Sequence, residues 1–128
     1  MGPWGTEMNT KASFNPSIAH HFGGGVYAKE TLVPAGMVLV QHKHTHDHLS
    51  ILASGRVEVV VDDVRTEREG PACILIEAGK YHGIKALTDV SWYCIHATDC
   101  TDEHAVDEVV IAHDSSLAEA QRMAEAIA

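Results

Sequence analysis

Aromatic residues make up only 5% of this 128-residue chain. Any core must therefore be built from Val, Ile, Leu and Ala. Positive charge is also scarce. Nine Lys plus Arg stand against eighteen Asp plus Glu, for a formal net charge of -9, a balance that argues against nucleic acid as a partner and against an anionic membrane surface. No apolar run approaches the roughly 18–20 residues of a membrane span, and the N-terminus lacks the basic, apolar, small-residue order of a signal peptide. The three cysteines, Cys73, Cys94 and Cys100, form no C-x-x-C pair. They read as free thiols in a reducing compartment, and a cytoplasmic location is expected. No nucleophile elbow, phosphate loop or dinucleotide glycine fingerprint is present. The length is that of one domain, and 45% hydrophobic residues suffice for one core without disulfides.

The chain divides into three parts: an N-terminal segment over 1–24, a β-rich body over 25–112 and a helical end over 113–128. The first part has no periodicity and carries the turn signals Asn15-Pro16 and Gly23-Gly24-Gly25, so it is expected to be loosely structured, with His20 and His21 solvated. From Val26 to Ile111, short β-branched runs alternate with turn residues. The expected strands are Val26–Val33, Met37–Lys43, Leu49–Ala53, Arg56–Val61, Val64–Arg68, Ala72–Ile76, His82–Leu87, Val90–Thr98 and Val106–Ile111. Asp62-Asp63 marks a hairpin between two of them. Many short strands with no long helix between them predict an all-β sandwich or barrel. The end differs: Asp114-Ser115-Ser116 forms an N-cap cluster. Beyond it, Leu117, Ala120, Met123, Ala124 and Ile127 recur at helical spacing, an apolar stripe for the barrel or a second subunit. Residues 99–128 hold eight acidic residues and one Arg, read as a solvated acidic face.

Histidine is the excess. Ten occur, four of them within Gln41–Ser50, Q-H-K-H-T-H-D-H-L-S. In one extended strand, His42, His44, His46 and His48 would all face one side, and the six residues from first to last would span about 20 Å at roughly 3.3 Å each. A metal holds its nitrogens at about 2.0–2.1 Å, so shared ligation requires the chain to reverse inside the cluster, at Thr45-His46-Asp47. His42 and His44 then project from the incoming strand and His48 from the outgoing one, with His46 at the bend. A fourth imidazole can come from Glu77-Ala78-Gly79-Lys80-Tyr81-His82, where a glycine turn delivers His82 to the start of a strand. Neutral imidazoles suit Zn, Cu, Fe or Ni and make Ca and Mg poor candidates. The competing reading is an adventitious cluster on a soluble strand.

These residues resemble the cupin superfamily. Its first motif, G-x5-H-x-H-x3-E-x6-G, is matched in spacing by Gly36, His42, His44, His48 and Gly55, with His48 where the family usually has Glu. Its second, G-x5-P-x-G-x2-H-x3-N, is matched by Gly79 and His82. Glu77 replaces the proline, Ala86 replaces the asparagine, and Gly70 lies one residue farther upstream than the pattern asks. The resemblance covers residues 26–98. It implies a cupin-type (RmlC-like jelly-roll) antiparallel β-barrel with a short C-terminal helix, and one divalent transition metal ion per chain held by His42, His44, His48 and His82. Fe or Mn is favoured, with Zn, Ni and Cu as the other options. Four neutral ligands would leave a divalent ion its full charge, a stronger Lewis acid suited to a small anionic substrate.

The expected function is thus a small metalloenzyme, oxidoreductase or dioxygenase-like ahead of isomerase or lyase chemistry. The alternative is a non-catalytic metal- or ligand-binding module, since one fold carries many functions. Its partners are a small-molecule substrate or ligand and a second copy in a homodimer, not nucleic acid or membrane. No catalytic residue beyond the ligands is identified. Trp92, Cys94 and His96 share one face of a strand, and His96 is either a structural histidine or a neighbour of the site. Tyr81 shields the site or packs on the outer sheet. Asp47 either orients an imidazole or sits in an exposed turn. Cys73 is expected in the core, Glu58 and Glu77 in exposed positions, and His104 and His113 on the surface.

Overall fold

The computed structural model describes residues 8–9, 17–41, 45–102 and 117–127. Among the described residues, ten strands and one helix follow in chain order: β1 (Met8–Asn9), β2 (Ser17–Gly23), β3 (Val26–Val33), β4 (Val38–Gln41), β5 (His48–Ser54), β6 (Arg56–Val61), β7 (Val64–Glu69), β8 (Ala72–Ile76), β9 (His82–Ala86), β10 (Val90–Ala97) and α1 (Leu117–Ile127). The expected strand Val106–Ile111, the N-cap cluster at 114–116, His104 and His113 lie outside the described residues.

The strands form two five-stranded sheets, ordered β1-β4-β9-β6-β7 and β2-β3-β10-β5-β8. All pairings between them are antiparallel. The architecture is the expected all-β antiparallel one, built as two open sheets rather than a closed ring. One expectation is corrected. Ser17–Gly23 is not loose but pairs along its whole length with β3, up to Gly23 opposite Val26. Gly24 and Gly25, both at positive φ, form a hairpin turn there rather than a linker.

Period-two alternation decides which side chains enter the space between the sheets. In β10, Val90, Trp92, Cys94 and His96 are buried while Ser91, Tyr93 and Ile95 are half-buried. In β8 the same rule overturns the expectation for Cys73: Ala72, Ile74 and Ile76 turn inward, so Cys73 is exposed beside Leu75, which is 61% exposed. Two-fold alternation leaves an apolar residue on the outer face whenever it falls out of phase, however hydrophobic its run.

The space between the sheets is graded. Leu39, Leu52, Val57, Val59, Ile84, Ala86 and Trp92 pack together as its apolar part. Lys29, Thr31, His48, Ser50, His82 and His96 are its buried polar residues. The outer face of the first sheet carries a second cluster, in which Val38, Val40 and Val60 meet Ala124 and Ile127 of α1. Met123, Ala124 and Ile127 of the helical stripe therefore pack on their own chain, and Tyr81 joins this outer cluster rather than shielding the interior. Arg65 of β7 donates from Nη2 to the Ala126 carbonyl at 2.6 Å, supplying a cation to a helix end with no basic residue in its last turn. No described helix is long and apolar enough to cross a membrane.

Gly36, Gly55 and Gly79, the spaced glycines of the sequence pattern, all take positive φ. At Gly55 (φ +95) a Cβ would also run into the Asp89 carbonyl and the Thr88 side chain. Only glycine lets the β5–β6 turn close against the β9–β10 turn.

Candidate metal centre

His48 opens β5 and His82 opens β9, strands of opposite sheets. Both side chains point into the space between the sheets, at 4% and 1% exposure, and their ring centroids are 5.4 Å apart. The neighbouring strand β10 sets Ser50 opposite Cys94 in register. The Sγ of Cys94 and one ring nitrogen each of His48 and His82 all lie within 4.8 Å of one another. Two further imidazoles border the group. The His96 ring lies 4.4 Å from that of His48, and His46 meets His96 edge-on at 5.5 Å.

Two loops bring these residues together, and each is tied down. Asp47 accepts a hydrogen bond at Oδ1 from the Ala78 N–H at 2.7 Å, joining the residue before His48 to the turn before His82. Asp47 is thus an exposed turn residue that ties the two turns together. Lys80 holds the same turn to the β6–β7 hairpin through Asp62 at 3.1 Å and bridges to Glu77 at 3.6 Å. Asp62 and Asp63 take positive φ, as the expected two-residue hairpin requires.

Burial sets the protonation state. Desolvation, reinforced by the neighbouring His46, brings the His48 pKa down to about 4, with Asp47 opposing. His82 is held well below its ordinary value by burial first, then by His48 and Lys29. His96 falls to about 2, for burial and then for His48 and His46. Three neutral imidazoles at physiological pH are three potential lone-pair donors. The donor set therefore fits a borderline transition metal and not Ca or Mg.

Of the four expected ligands, His48 and His82 are brought together, whereas His42 and His44 lie outside the described residues. His46 occupies a bend, as expected, with its Nδ1 3.0 Å from the Thr45 hydroxyl. His20 and His21 are not an equivalent solvated pair. His21 is exposed and contacts Glu30 at 3.0 Å, while His20 stacks on Tyr27 and meets its hydroxyl at 3.2 Å. Glu77 is exposed, and Glu58 is half-exposed beside Arg65. Cys94 and Lys29 escaped sequence reasoning as members of the site. The Trp92-Cys94-His96 alternation was the one signal for Cys94, since it puts the sulfur on the same face as His96. Two surface clefts have no histidine in their lining, one formed by Leu32, Pro34 and Asp89 among others, the other by Asp62, Lys80 and Arg122 among others.

No sequence-family model and no curated protein matches the chain. Solved structures do. A cupin superfamily protein from Desulfitobacterium hafniense aligns with a TM-score of 0.59 at 14% identity, over 70% of this chain and 84% of its own. The Cnp3 cupin domain of Schizosaccharomyces pombe aligns with a TM-score of 0.56 at 24% identity, over 68% and 70%. Salicylate 1,2-dioxygenase from Pseudoaminobacter salicylatoxidans, solved in complex with gentisate, aligns with a TM-score of 0.59 at 10% identity, over 64% of this chain and 25% of that longer one. At these identities the likeness speaks for the fold, and together with the two-sheet topology and the paired histidines it leads to one conclusion: this chain has the cupin fold.

Proposed function

We propose that the protein is a small metalloenzyme that holds one divalent transition metal ion through His42, His44, His48 and His82 and acts on a small anionic molecule. The observation that carries this reading is the meeting of His48 and His82, from opposite sheets, with a third donor within 4.8 Å. Burial keeps these imidazoles neutral, the form in which a ring nitrogen can ligate a transition metal. Iron or manganese is the favoured ion, and when bound it supplies Lewis acidity and, for iron, redox chemistry. The chain's own residues bind and orient. Asp47 and Lys80 tie down the turns that lead into His48 and His82, and Trp92 packs in the apolar part of the interior. Lys29, 8% exposed and on the interior face of β3, adds a cation for an anionic ligand.

Oxidative chemistry ranks ahead of isomerisation or elimination. The salicylate dioxygenase, which shares the fold and binds gentisate, is the structural neighbour that supports this order. The test is metal analysis of untagged protein, followed by oxygen-consumption assays of the iron-loaded form against a panel of small carboxylates. Substrate-dependent oxygen uptake is the expected result. A metal-to-chain ratio near zero would overturn the metal centre, and a tight ligand returned unchanged would make the protein a binding module instead.

A further inference from the structure

We propose that Cys94 is itself a metal ligand, binding as a thiolate, so that the centre has a mixed nitrogen–sulfur donor set. This rests on the metal-centre reading above and deepens it.

The geometry is that of a shared ion. A transition metal holds imidazole nitrogen at about 2.0–2.1 Å and thiolate sulfur at about 2.3 Å, so donors on opposite sides of it lie roughly 4.3 Å apart. The Cys94 sulfur and the two histidine nitrogens already fall within 4.8 Å of one another; at most one pair of the three can sit on opposite sides, and side-chain rotation would draw the others to the roughly 3–3.6 Å of adjacent donors. The sulfur is also buried, at 1% exposure, and its position is set by backbone pairing on both sides: Cys94 is in register with Ser50 of β5 and with Lys29 of β3.

The surroundings suit an ionised sulfur. The Ser50 hydroxyl lies 3.6 Å from Cys94 Sγ and 3.4 Å from His48 Nε2, placed to donate to the thiolate once the metal takes the imidazole lone pair. Lys29, buried on the paired strand with its side chain on the same face, offsets the sulfur's negative charge. On binding, the S–H bond breaks, the sulfur electron pair forms the bond to the metal, and the proton leaves to solvent; no oxidation state changes. The thiolate brings to an otherwise neutral imidazole set its one anionic donor. Thiolate ligation favours iron, cobalt or zinc over manganese, which narrows the choice of ion.

Cobalt(II) loading of the metal-free full-length protein tests this. Wild type is expected to show a sulfur-to-cobalt charge-transfer band in the near ultraviolet and a single sulfur scatterer by X-ray absorption. Cys94→Ser and Cys94→Ala should still bind cobalt through histidine but lose the band, and Cys94→Ser should release one proton fewer on loading. The Cys73→Ser/Cys100→Ser variant should keep the band. Cobalt bound by wild type with no sulfur in its sphere, or a band that survives in Cys94→Ser, would overturn the proposal while leaving the metal centre standing. No cobalt bound by wild type would overturn both. The X-ray absorption measurement needs no variant, so a misfolded Cys94→Ala does not blunt the test.

Discussion

Asp47 and Ala78, 31 residues apart in sequence, are joined by a 2.7 Å hydrogen bond from the Ala78 N–H to the aspartate carboxylate. One partner immediately precedes His48 and the other stands four residues before His82. That contact ties together the turns that lead into two histidines from opposite sheets.

Removing that contact should loosen the centre more than the fold. Asp47→Ala is expected to cost about 1 kcal/mol of stability, the typical net worth of one hydrogen bond. It should weaken metal binding by roughly 10-fold or more, as lost outer contacts of a metal site do. Asp47→Asn keeps an acceptor oxygen and should recover most of both. Urea unfolding and competitive metal titration read the two effects, and wild-type affinity in Asp47→Ala would refute the positioning role.

The ligand assignment makes a comparative prediction. His82→Ala should abolish stoichiometric metal binding, whereas His46→Ala should leave it nearly intact, because His46 lies at the bend beside His96. Titration of the two variants, each checked for folding by circular dichroism, decides the matter. Equal losses would mean that the ligand set has been drawn wrongly.

Acid should destabilise the metal-free protein. The histidines fold with pKa values below the ordinary 6.5: about 4 for His48, about 2 for His96, and well below for His82. Above pH 6.5 they are neutral in both folded and unfolded chains and impose no pH dependence. Below it the unfolded chain takes up protons that the folded chain refuses, so stability falls with pH through the window from about 6.5 to 4. Each histidine that stays neutral adds about 1.4 kcal/mol per pH unit to the fall. Denaturant midpoints measured across pH 4–8 check the sign, and a flat profile would contradict it.

The helix seat is testable apart from the site. Gly83 follows His82 but faces outward, and a Cβ there would lie 2.5 Å from Ile127 Cδ1 and 3.1 Å from Val40 Cγ2. Gly83→Ala should therefore cost about 1–3 kcal/mol by overpacking without changing metal stoichiometry. Combining it with Ile127→Ala, which opens space at the same point, should cost less than the sum of the two changes. Strict additivity in thermal or urea unfolding would argue against the seating of α1 on β9.

Much of the architecture was legible because its signals are local. The Asp62-Asp63 hairpin, the runs Val26–Val33 and Arg56–Val61, and the shared face of Trp92, Cys94 and His96 follow from turn chemistry and period-two alternation alone, although which face of that strand points inward does not. Cys73 shows where the local signal stops: an apolar run tells little about phase when both neighbours are also apolar. β2 was missed because its glycine-rich flank reads as a linker, although the same glycines serve equally well as a tight turn between paired strands.

The sequence alone thus determined the kind of fold, the faces of its clearest strands and the excess of imidazole from which a metal centre could be built. Only the tertiary structure decided which donors meet. His48 and His82 converge because two sheets stack face to face. Cys94 reaches them because β10 pairs with β5 in a register that no local pattern encodes. The histidines are held neutral because packing of the whole interior removes their water. Spacing along the chain constrains neighbours a few residues apart, whereas contacts between strands 34 or more residues apart depend on the free energy of burying both sheets at once.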